Sequence, residues 1–167
     1  MVMGVSGIGK TTIGRRLAAR LDATFLEGDD FHPAANVAKM RRGEPLDDTD
    51  RRPWLEALAG ELARRQRAGE RVVLACSALR RRYRDLLRSR GATIRFVYLA
   101  GEEAFVRRRL AGRKGHFMPP SLLDSQFAAL EEPAADEAAI RVDAAATPEA
   151  IVDRVAEALA AAPCSAD

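Results

Sequence analysis

Residues 4–11 read GVSGIGKT and fit the pattern G-x-x-x-x-G-K-[ST] at every position, which constrains the fold more than any other feature. An apolar run, 1–5, leads into this segment, and an amphipathic stretch, 10–21, follows with apolar residues at four-residue spacing. A strand, a glycine-rich turn and a helix in this order place successive backbone N–H groups around a bound phosphate. We therefore expect a nucleotide to bind at this turn, and a chance glycine-rich turn is the disfavoured alternative.

Each position of this turn has a predicted role in binding ATP and Mg²⁺. Lys10 is expected to reach the β- and γ-phosphate oxygens, and the hydroxyl of Thr11 is expected to coordinate magnesium. The glycines allow the backbone to curl around the phosphates. The predicted nucleotide-binding residues are Gly4, Val5, Ser6, Gly7, Ile8, Gly9, Lys10, Thr11 and Thr12.

The rest of the chain alternates strand-length apolar runs with helical periodicity, which predicts an α/β fold with a five-stranded parallel sheet flanked by helices. A length of 167 residues favours a single domain, at about 150 residues per domain. The predicted strands are 1–5, 24–26, 71–76, 94–99 and 140–142. The predicted helices are 10–21, 53–68, 80–90, 102–113, 121–130 and one that starts at 147–148.

Composition narrows the class of protein. A hydrophobic share of 47% and a charged share of 31% are typical of a globular protein. Cys76 and Cys164 are far apart and form no Cys/His cluster, so we expect no structural zinc and a reducing, cytoplasmic environment. The sequence has no signal peptide pattern and no apolar run long enough to span a membrane. A net charge of +3 with few aromatic residues disfavours nucleic-acid binding.

A nucleotide-binding turn alone does not fix the activity. A GTPase switch needs a base-reading Asn-Lys-x-Asp motif, whereas the only asparagine, Asn36, is followed by valine. Large motor ATPases need a longer chain and commonly a strand that ends in aspartate, whereas the third predicted strand ends at Cys76 and Ser77. A kinase that acts on a small molecule is the class that remains.

The polar segment 27–50 follows the second predicted strand and is a candidate acceptor site, since open parallel sheets bind ligands at the carboxyl ends of their strands. Asp29 or Asp30 could accept the proton of an attacking hydroxyl. The alternative for either aspartate is an acidic turn that caps a helix. His32 lies nearby in sequence but is less informative on its own.

A second cluster of charge predicts a lid. Arg109 and Arg113 are four residues apart and share a helix face, and a segment with Gly115 and the pair Pro119-Pro120 follows them. We expect a lid over about 109–122 that brings arginine over the γ-phosphate. The alternative is a solvated basic helix end.

Taken together, these motifs resemble the gluconokinases of the thermoresistant, P-loop type. The resemblance runs from residue 1 to about 133, and its combination of motifs is specific even though the phosphate loop alone is generic. Two positions depart from the family pattern, Ile8 where serine is common and Arg52 where tryptophan is common. The motifs are 4–11, 27–33 (EGDDFHP), 36–40 (NVAKM), 43–46 (GEPL), 50–51 (DR), 53–55 (PWL), 76–79 (CSAL), 83–85 (YRD), 113–118 (RKGHFM) and 125–127 (SQF).

The resemblance implies ATP-dependent phosphorylation of D-gluconate at its 6-hydroxyl, on a fold like that of the nucleoside-monophosphate kinases and as a homodimer. It implies that Asp29 or Asp30 meets the sugar hydroxyls. Arg51 is the first choice to clamp the substrate carboxylate, because a guanidinium can donate two parallel hydrogen bonds. The other predicted substrate-binding residues are His32, Lys39, Arg80, Arg84 and His116.

Two other functions stay open at this point. A shikimate or adenylylsulfate kinase would share the phosphate loop and an acidic motif after the second strand. A nucleotide-dependent regulatory protein would keep the loop without catalysis, although Asp29, Arg51, Arg109 and Arg113 argue against that reading.

Overall fold

The computed structural model describes residues 1–112 and 120–161. Within them, five parallel strands form one sheet in the order β2-β3-β1-β4-β5, which confirms the predicted α/β class. No helix in these ranges is long and apolar enough to cross a membrane. The strands are β1 (Val2–Met3), β2 (Thr24–Glu27), β3 (Val72–Ala75), β4 (Val97–Ala100) and β5 (Ile140–Asp143).

Helices cover both faces of the sheet. The apolar residues alternate between the faces, so that in β1 Val2 belongs to one core cluster and Met3 to the other. Short 3-10 turns span Gly28–Phe31 and Ala135–Glu137. The helices are α1 (Lys10–Arg20), α2 (Ala34–Arg41), α3 (Asp48–Arg67), α4 (Arg81–Arg88), α5 (Glu103–Ala111), α6 (Pro120–Ala129) and α7 (Pro148–Ala161).

Helix α3 begins at Asp48, not at Pro53 as the sequence predicts. Asp47 caps it, because its carboxylate accepts the N–H of Asp50 at 2.9 Å while the Asp50 carboxylate accepts the N–H of Asp47 at 2.9 Å. This reciprocal pair satisfies two N–H groups that the helix leaves unpaired. Pro53 therefore lies inside the helix. The polar segment before it also contains α2, which the sequence analysis does not predict.

The parallel order brings the carboxyl ends of β1, β2 and β3 to one edge of the sheet. β1 lies in the interior, between β3 and β4, so the loop that follows it opens between two neighbouring strand ends. At Gly28 the chain passes so close to β3 that an added Cβ would lie 2.6 Å from the Ala75 carbonyl oxygen. Because of this close approach, the 3-10 turn that contains Asp29 lies near the loop that follows β1.

Candidate active site

The glycine-rich turn fits tightly between the sheet and α5. Gly7 and Gly9 have φ angles of +79° and +115°, in a region that favours glycine. A Cβ at Gly7 would lie 2.6 Å from the side chain of Leu110 on α5. Helix α1 begins at Lys10, immediately after the turn, and its N-terminus favours a bound anion.

Lys10 and Thr11 connect this turn to neighbouring elements. The ammonium of Lys10 donates to the Val5 carbonyl oxygen at 3.0 Å, which folds the side chain back over the turn. The hydroxyl of Thr11 donates to a carboxylate oxygen of Glu27 at 2.8 Å. Glu27 is the last residue of β2, so this contact joins the turn to the second strand.

Glu27 is a candidate functional residue that the sequence analysis did not assign. Burial raises its pKa, the Thr11 hydrogen bond lowers it, and Asp29 and Asp30 raise it further. It precedes Asp29 by two residues in the EGDD segment, which was the available signal. Because Glu27, Asp29 and Asp30 lie within four residues, the sequence alone does not indicate which of them contacts Thr11.

The oxygen atoms of Thr11 and Glu27 suit a hard divalent cation such as Mg²⁺. No group of three or more His, Cys, Asp or Glu side chains placed to hold a metal occurs in residues 1–112 and 120–161. Mg²⁺ commonly takes one or two protein ligands and completes its shell with phosphates and water. The donors present here fit that kind of site better than a site built entirely from protein groups.

A cavity of about 430 Å³ opens beside the turn. Both aspartates are exposed, but Asp29 lines this cavity and Asp30 does not, which favours Asp29 of the two predicted aspartates. Lys10 and Arg51 line the same cavity, which places a loop lysine, an acid and an arginine around one space. Its lining residues are Ser6, Lys10, Asp29, His32, Val37, Met40, Arg41, Glu44, Pro45, Leu46, Arg51, Ser77, Leu122, Ser125 and Gln126.

His32 is held rigidly in the cavity wall. Its ring stacks on Trp54 with centroids 4.1 Å apart, and its side chain is 3% exposed. The indole N–H of Trp54 donates to the Gly28 carbonyl oxygen at 2.7 Å and fixes the stack. Burial lowers the His32 pKa, Asp29 raises it and Arg51 lowers it, so the imidazole is neutral at pH 7.

Arg51 lies where two cavities meet. Its Nε donates to the Leu46 carbonyl oxygen at 3.2 Å, and its guanidinium lies 5.8 Å from the Tyr83 ring centre. It also lines a neighbouring cavity of about 280 Å³ together with Arg80 and Tyr83. Arg80 pairs with Asp48 at 3.5 Å. An anion bound beside Arg51 in the main cavity would therefore meet its guanidinium group, and Arg80 supplies a second guanidinium in the neighbouring cavity.

Two predicted substrate-binding residues have other partners. The ammonium of Lys39 donates to the Asp50 carboxylate at 2.5 Å and does not line the main cavity. Arg84 is 0% exposed and pairs with Glu137 through two hydrogen bonds of 2.5 and 2.8 Å. Its Nη1 donates to carbonyl oxygens of the surrounding chain. Burial and these hydrogen bonds indicate a structural role for Arg84, so its contact with substrate stays an untested prediction.

Arg109, on α5, reaches the glycine-rich turn. Its Nη2 would lie 3.4 Å from a Cβ added at Gly9, and its guanidinium lies 5.5 Å from the Phe105 ring centre. The side chain is thus placed where a cation could meet a bound phosphate. Arg113 and His116, also predicted as site residues, lie outside the described residues.

Comparison with known proteins agrees with this geometry. Residues 1–133 match the family model described as AAA domain. Gluconokinase of Gluconobacter oxydans is 48% identical over 155 residues, covering 93% of this chain and 87% of that protein. Thermoresistant gluconokinase of Escherichia coli is 45% identical over 142 residues, covering 85% of this chain and 81% of that protein.

Solved structures extend the comparison. A gluconokinase from Sinorhizobium meliloti superposes with a TM-score of 0.83 at 43% identity, covering 95% of this chain and 93% of that chain. The APS kinase CysC of Mycobacterium tuberculosis is only 18% identical at a TM-score of 0.70, which shows a shared fold alone. From the family match, the identity and the coverage together, this chain belongs to the gluconokinase family of P-loop kinases.

Proposed function

We propose that this protein phosphorylates D-gluconate with ATP, giving 6-phospho-D-gluconate and ADP. The observation that carries the proposal is a single cavity lined by Lys10 from the phosphate loop, Asp29 from the turn after β2 and Arg51 from α3. These side chains supply a cation for the moving phosphoryl group, an acceptor for a hydroxyl proton and a partner for a carboxylate.

The nucleotide end of the site is the glycine-rich turn. Its backbone N–H groups and Lys10 bind the phosphates, and Arg109 adds positive charge above Gly9. Thr11 and Glu27 would hold Mg²⁺, directly or through water. When bound, Mg²⁺ neutralises charge that develops on the phosphate oxygens.

The acceptor end uses Asp29. The 6-hydroxyl oxygen of gluconate attacks the γ-phosphorus, the bond from that phosphorus to the β,γ-bridging oxygen breaks, and ADP leaves. The hydroxyl proton passes to the Asp29 carboxylate. His32 lies with its Nε2 3.9 Å from Asp29 Oδ1, and as a neutral ring it leaves the negative charge of that carboxylate intact.

The carboxylate of gluconate is bound by Arg51, which lines both cavities, with Arg80 in the neighbouring cavity as a second cation. Because the Arg51 guanidinium is planar, it can hold both carboxylate oxygens at once. With the acid group held at Arg51, the other end of the carbon chain is left to meet the γ-phosphate. This explains why C6 would be the carbon that is phosphorylated.

The organisation of the whole chain is part of the proposal. We infer one kinase domain over 1–167, with 27–52 as the substrate-binding segment and about 109–122 as a lid. The homodimer is inferred from resemblance to the gluconokinases, and the cytoplasmic location from the two distant cysteines. We propose no nucleic-acid or membrane partner, in keeping with the modest net charge of +3.

An ADP-release assay with ATP and Mg²⁺ tests the function. Turnover should depend on D-gluconate, and shikimate and adenylylsulfate should give only the ATP background. Replacement of Lys10 by alanine should abolish turnover without unfolding the protein. The control Arg20→Ala, at an exposed residue of the same helix, should leave turnover unchanged. Turnover with shikimate or adenylylsulfate and none with gluconate would reject the proposal. Tight ATP binding without transfer to gluconate would favour a regulatory protein instead.

A further inference from the structure

The segment SQF, 125–127, carries no role in the mechanism above, yet it reaches the phosphate loop. We propose that Gln126 binds the substrate and couples it to that loop: its Oε1 accepts the Ser6 N–H, and its Nε2 donates to a hydroxyl oxygen of the polyol acid. This inference rests on the proposed function and assigns one further substrate-binding residue to the same site.

The contact with the loop fixes the orientation of the side-chain amide. The backbone N–H of Ser6 donates to Gln126 Oε1 at 2.7 Å, across 120 residues of sequence. A backbone N–H can only donate, so the atom that meets it must be the oxygen of the glutamine amide. The Nε2 atom is therefore directed away from the Ser6 N–H.

The other end of the amide is available to a ligand. Gln126 is half-buried and lines both the main cavity and the neighbouring one. Within residues 1–112 and 120–161, Ser6 is the sole hydrogen-bond partner of the Gln126 side chain, and it meets the oxygen. No buried side-chain nitrogen or oxygen in these ranges lacks a partner, so Nε2 is accessible at the cavity wall. A partly buried amide N–H at a cavity wall contributes to binding free energy when a ligand oxygen accepts a hydrogen bond from it.

The position of Gln126 selects the ligand chemistry. The residues that line both cavities include Gln126, Arg51 and Leu46, while Ser6 and Lys10 line only the main one. A chain anchored by its carboxylate at Arg51 and reaching Lys10 with its far end would pass this wall. A polyol acid carries hydroxyl oxygens along that chain, and each can accept a hydrogen bond from Nε2.

Such a contact would link acceptor binding to the phosphate loop. Because one side chain holds both the Ser6 N–H and a substrate hydroxyl, the acceptor is located relative to the loop that holds the phosphates. Holding the acceptor hydroxyl in a fixed position relative to the γ-phosphate increases the rate of phosphoryl transfer. An acid that lacks hydroxyls would leave Nε2 without this partner, so the residue also favours polyol acids.

Two substitutions separate substrate binding from a purely structural role. Gln126→Glu keeps an oxygen for the Ser6 N–H but replaces the Nε2 donor with an acceptor. Gln126→Met keeps the length of the side chain and removes both hydrogen bonds. The matched control is Gln66→Met, since Gln66 Oε1 accepts the Thr93 N–H at 2.8 Å in a cavity at the amino ends of the strands.

Steady-state kinetics with D-gluconate and ATP give the result. Gln126→Glu and Gln126→Met should raise the KM for gluconate about tenfold or more, the effect of one lost hydrogen bond at a polar site, while the KM for ATP rises less than the KM for gluconate in both variants. Gln66→Met should leave both KM values unchanged.

Three outcomes would overturn the inference. The first is an unchanged gluconate KM in Gln126→Glu, or in Gln126→Met if the glutamate variant does not fold. The second is a change confined to ATP, which would make Gln126 a support for the phosphate loop only. The third is a wild-type protein without gluconate turnover, which would remove the proposed function together with this inference, whereas the first two leave that function intact.

Discussion

Thr11 and Glu27 are joined by a 2.8 Å hydrogen bond between the threonine hydroxyl and the carboxylate at the end of β2. Many nucleotide-binding sheets supply the acid near the metal from a strand that ends in aspartate. Here β3 is followed by Cys76 and Ser77, and burial raises the pKa of the Cys76 thiol to about 12. In the proposed metal site, the acid comes from the neighbouring strand β2 instead.

Substitution of Glu27 by glutamine should weaken the use of Mg²⁺. The variant keeps the shape of the side chain and can still accept from Thr11, but it loses the negative charge. We expect the Mg²⁺ concentration at half-maximal activity to rise about tenfold or more, with a smaller change in the KM for gluconate. Glu70→Gln, on an exposed residue beside the amino end of β3, is the control. An unaltered Mg²⁺ requirement would remove Glu27 from the metal site.

The same residue predicts a pH dependence. Burial raises the Glu27 pKa, so as pH falls this carboxylate takes up a proton earlier than an ordinary glutamate does. Only the ionised form binds Mg²⁺ well. Activity at limiting Mg²⁺ should therefore decline on the acid side at a pH above the usual glutamate pKa, and excess Mg²⁺ should move the decline to lower pH. Identical pH profiles at limiting and saturating Mg²⁺ would contradict this account.

Substitution of Arg51 tests the carboxylate clamp. Arg51→Lys keeps the charge but loses the two parallel hydrogen bonds, and we expect a rise in gluconate KM of about tenfold; Arg51→Met should cost about 100-fold. The KM for ATP should change little. Arg52→Met is a matched control, because Arg52 is the next residue and pairs on the surface with Glu56 at 3.0 Å. Equal effects of the Arg51 and Arg52 substitutions on gluconate KM would exclude the clamp.

Arg84 and Glu137 should matter for stability and not for substrate binding. Both side chains are almost fully buried, at 0% and 1% exposure. Removing one partner leaves a buried charge, so Arg84→Met should lower the free energy of unfolding by about 3–5 kcal/mol. The double variant Arg84→Met, Glu137→Leu should recover part of that loss. Denaturant unfolding measures the free energy of unfolding of both variants. A raised gluconate KM in the folded Arg84→Met variant would indicate that Arg84 contacts the substrate after all.

The ion pair also has a pH dependence of known sign. Hydrogen bonds from Arg84 are the largest cause that holds the Glu137 pKa below its usual value. The native state therefore favours the ionised carboxylate. The stabilisation is complete above the ordinary glutamate pKa and is lost as pH falls toward the lowered pKa of the folded state. In the double variant this part of the acid sensitivity of unfolding should disappear.

The phosphate-loop motif and the alternation of apolar runs with helical periodicity allowed the sheet class to be predicted, because local sequence carries those signals. The family resemblance assigns Arg51 to the substrate site, which stays a prediction. Arg80 and Arg84 show the limit of that approach. They are four residues apart, yet Arg80 lines a cavity while Arg84 is buried against Glu137, a partner 53 residues away. No local pattern distinguishes them.

Helix α3 and the acids near the loop show a different limit. The capping pair Asp47 and Asp50 was present in the sequence, but Pro53 gave a more prominent start signal. Among the acids, only the tertiary contact with Thr11 singles out Glu27, and only the cavity singles out Asp29. The order of the strands in the sheet brings Glu27, Asp29 and the phosphate loop together, and the apolar runs of the sequence do not predict that order.

Identification of the phosphorylated product tests the central claim most directly. The protein is incubated with ATP, Mg²⁺ and D-gluconate, and the products are followed by phosphorus NMR, with Asp29→Asn as the variant that removes the proton acceptor. The account predicts one new phosphate monoester, on C6 of gluconate, formed in step with ADP and strongly reduced in Asp29→Asn. ADP formation without that ester, or an ester on another carbon, would contradict it.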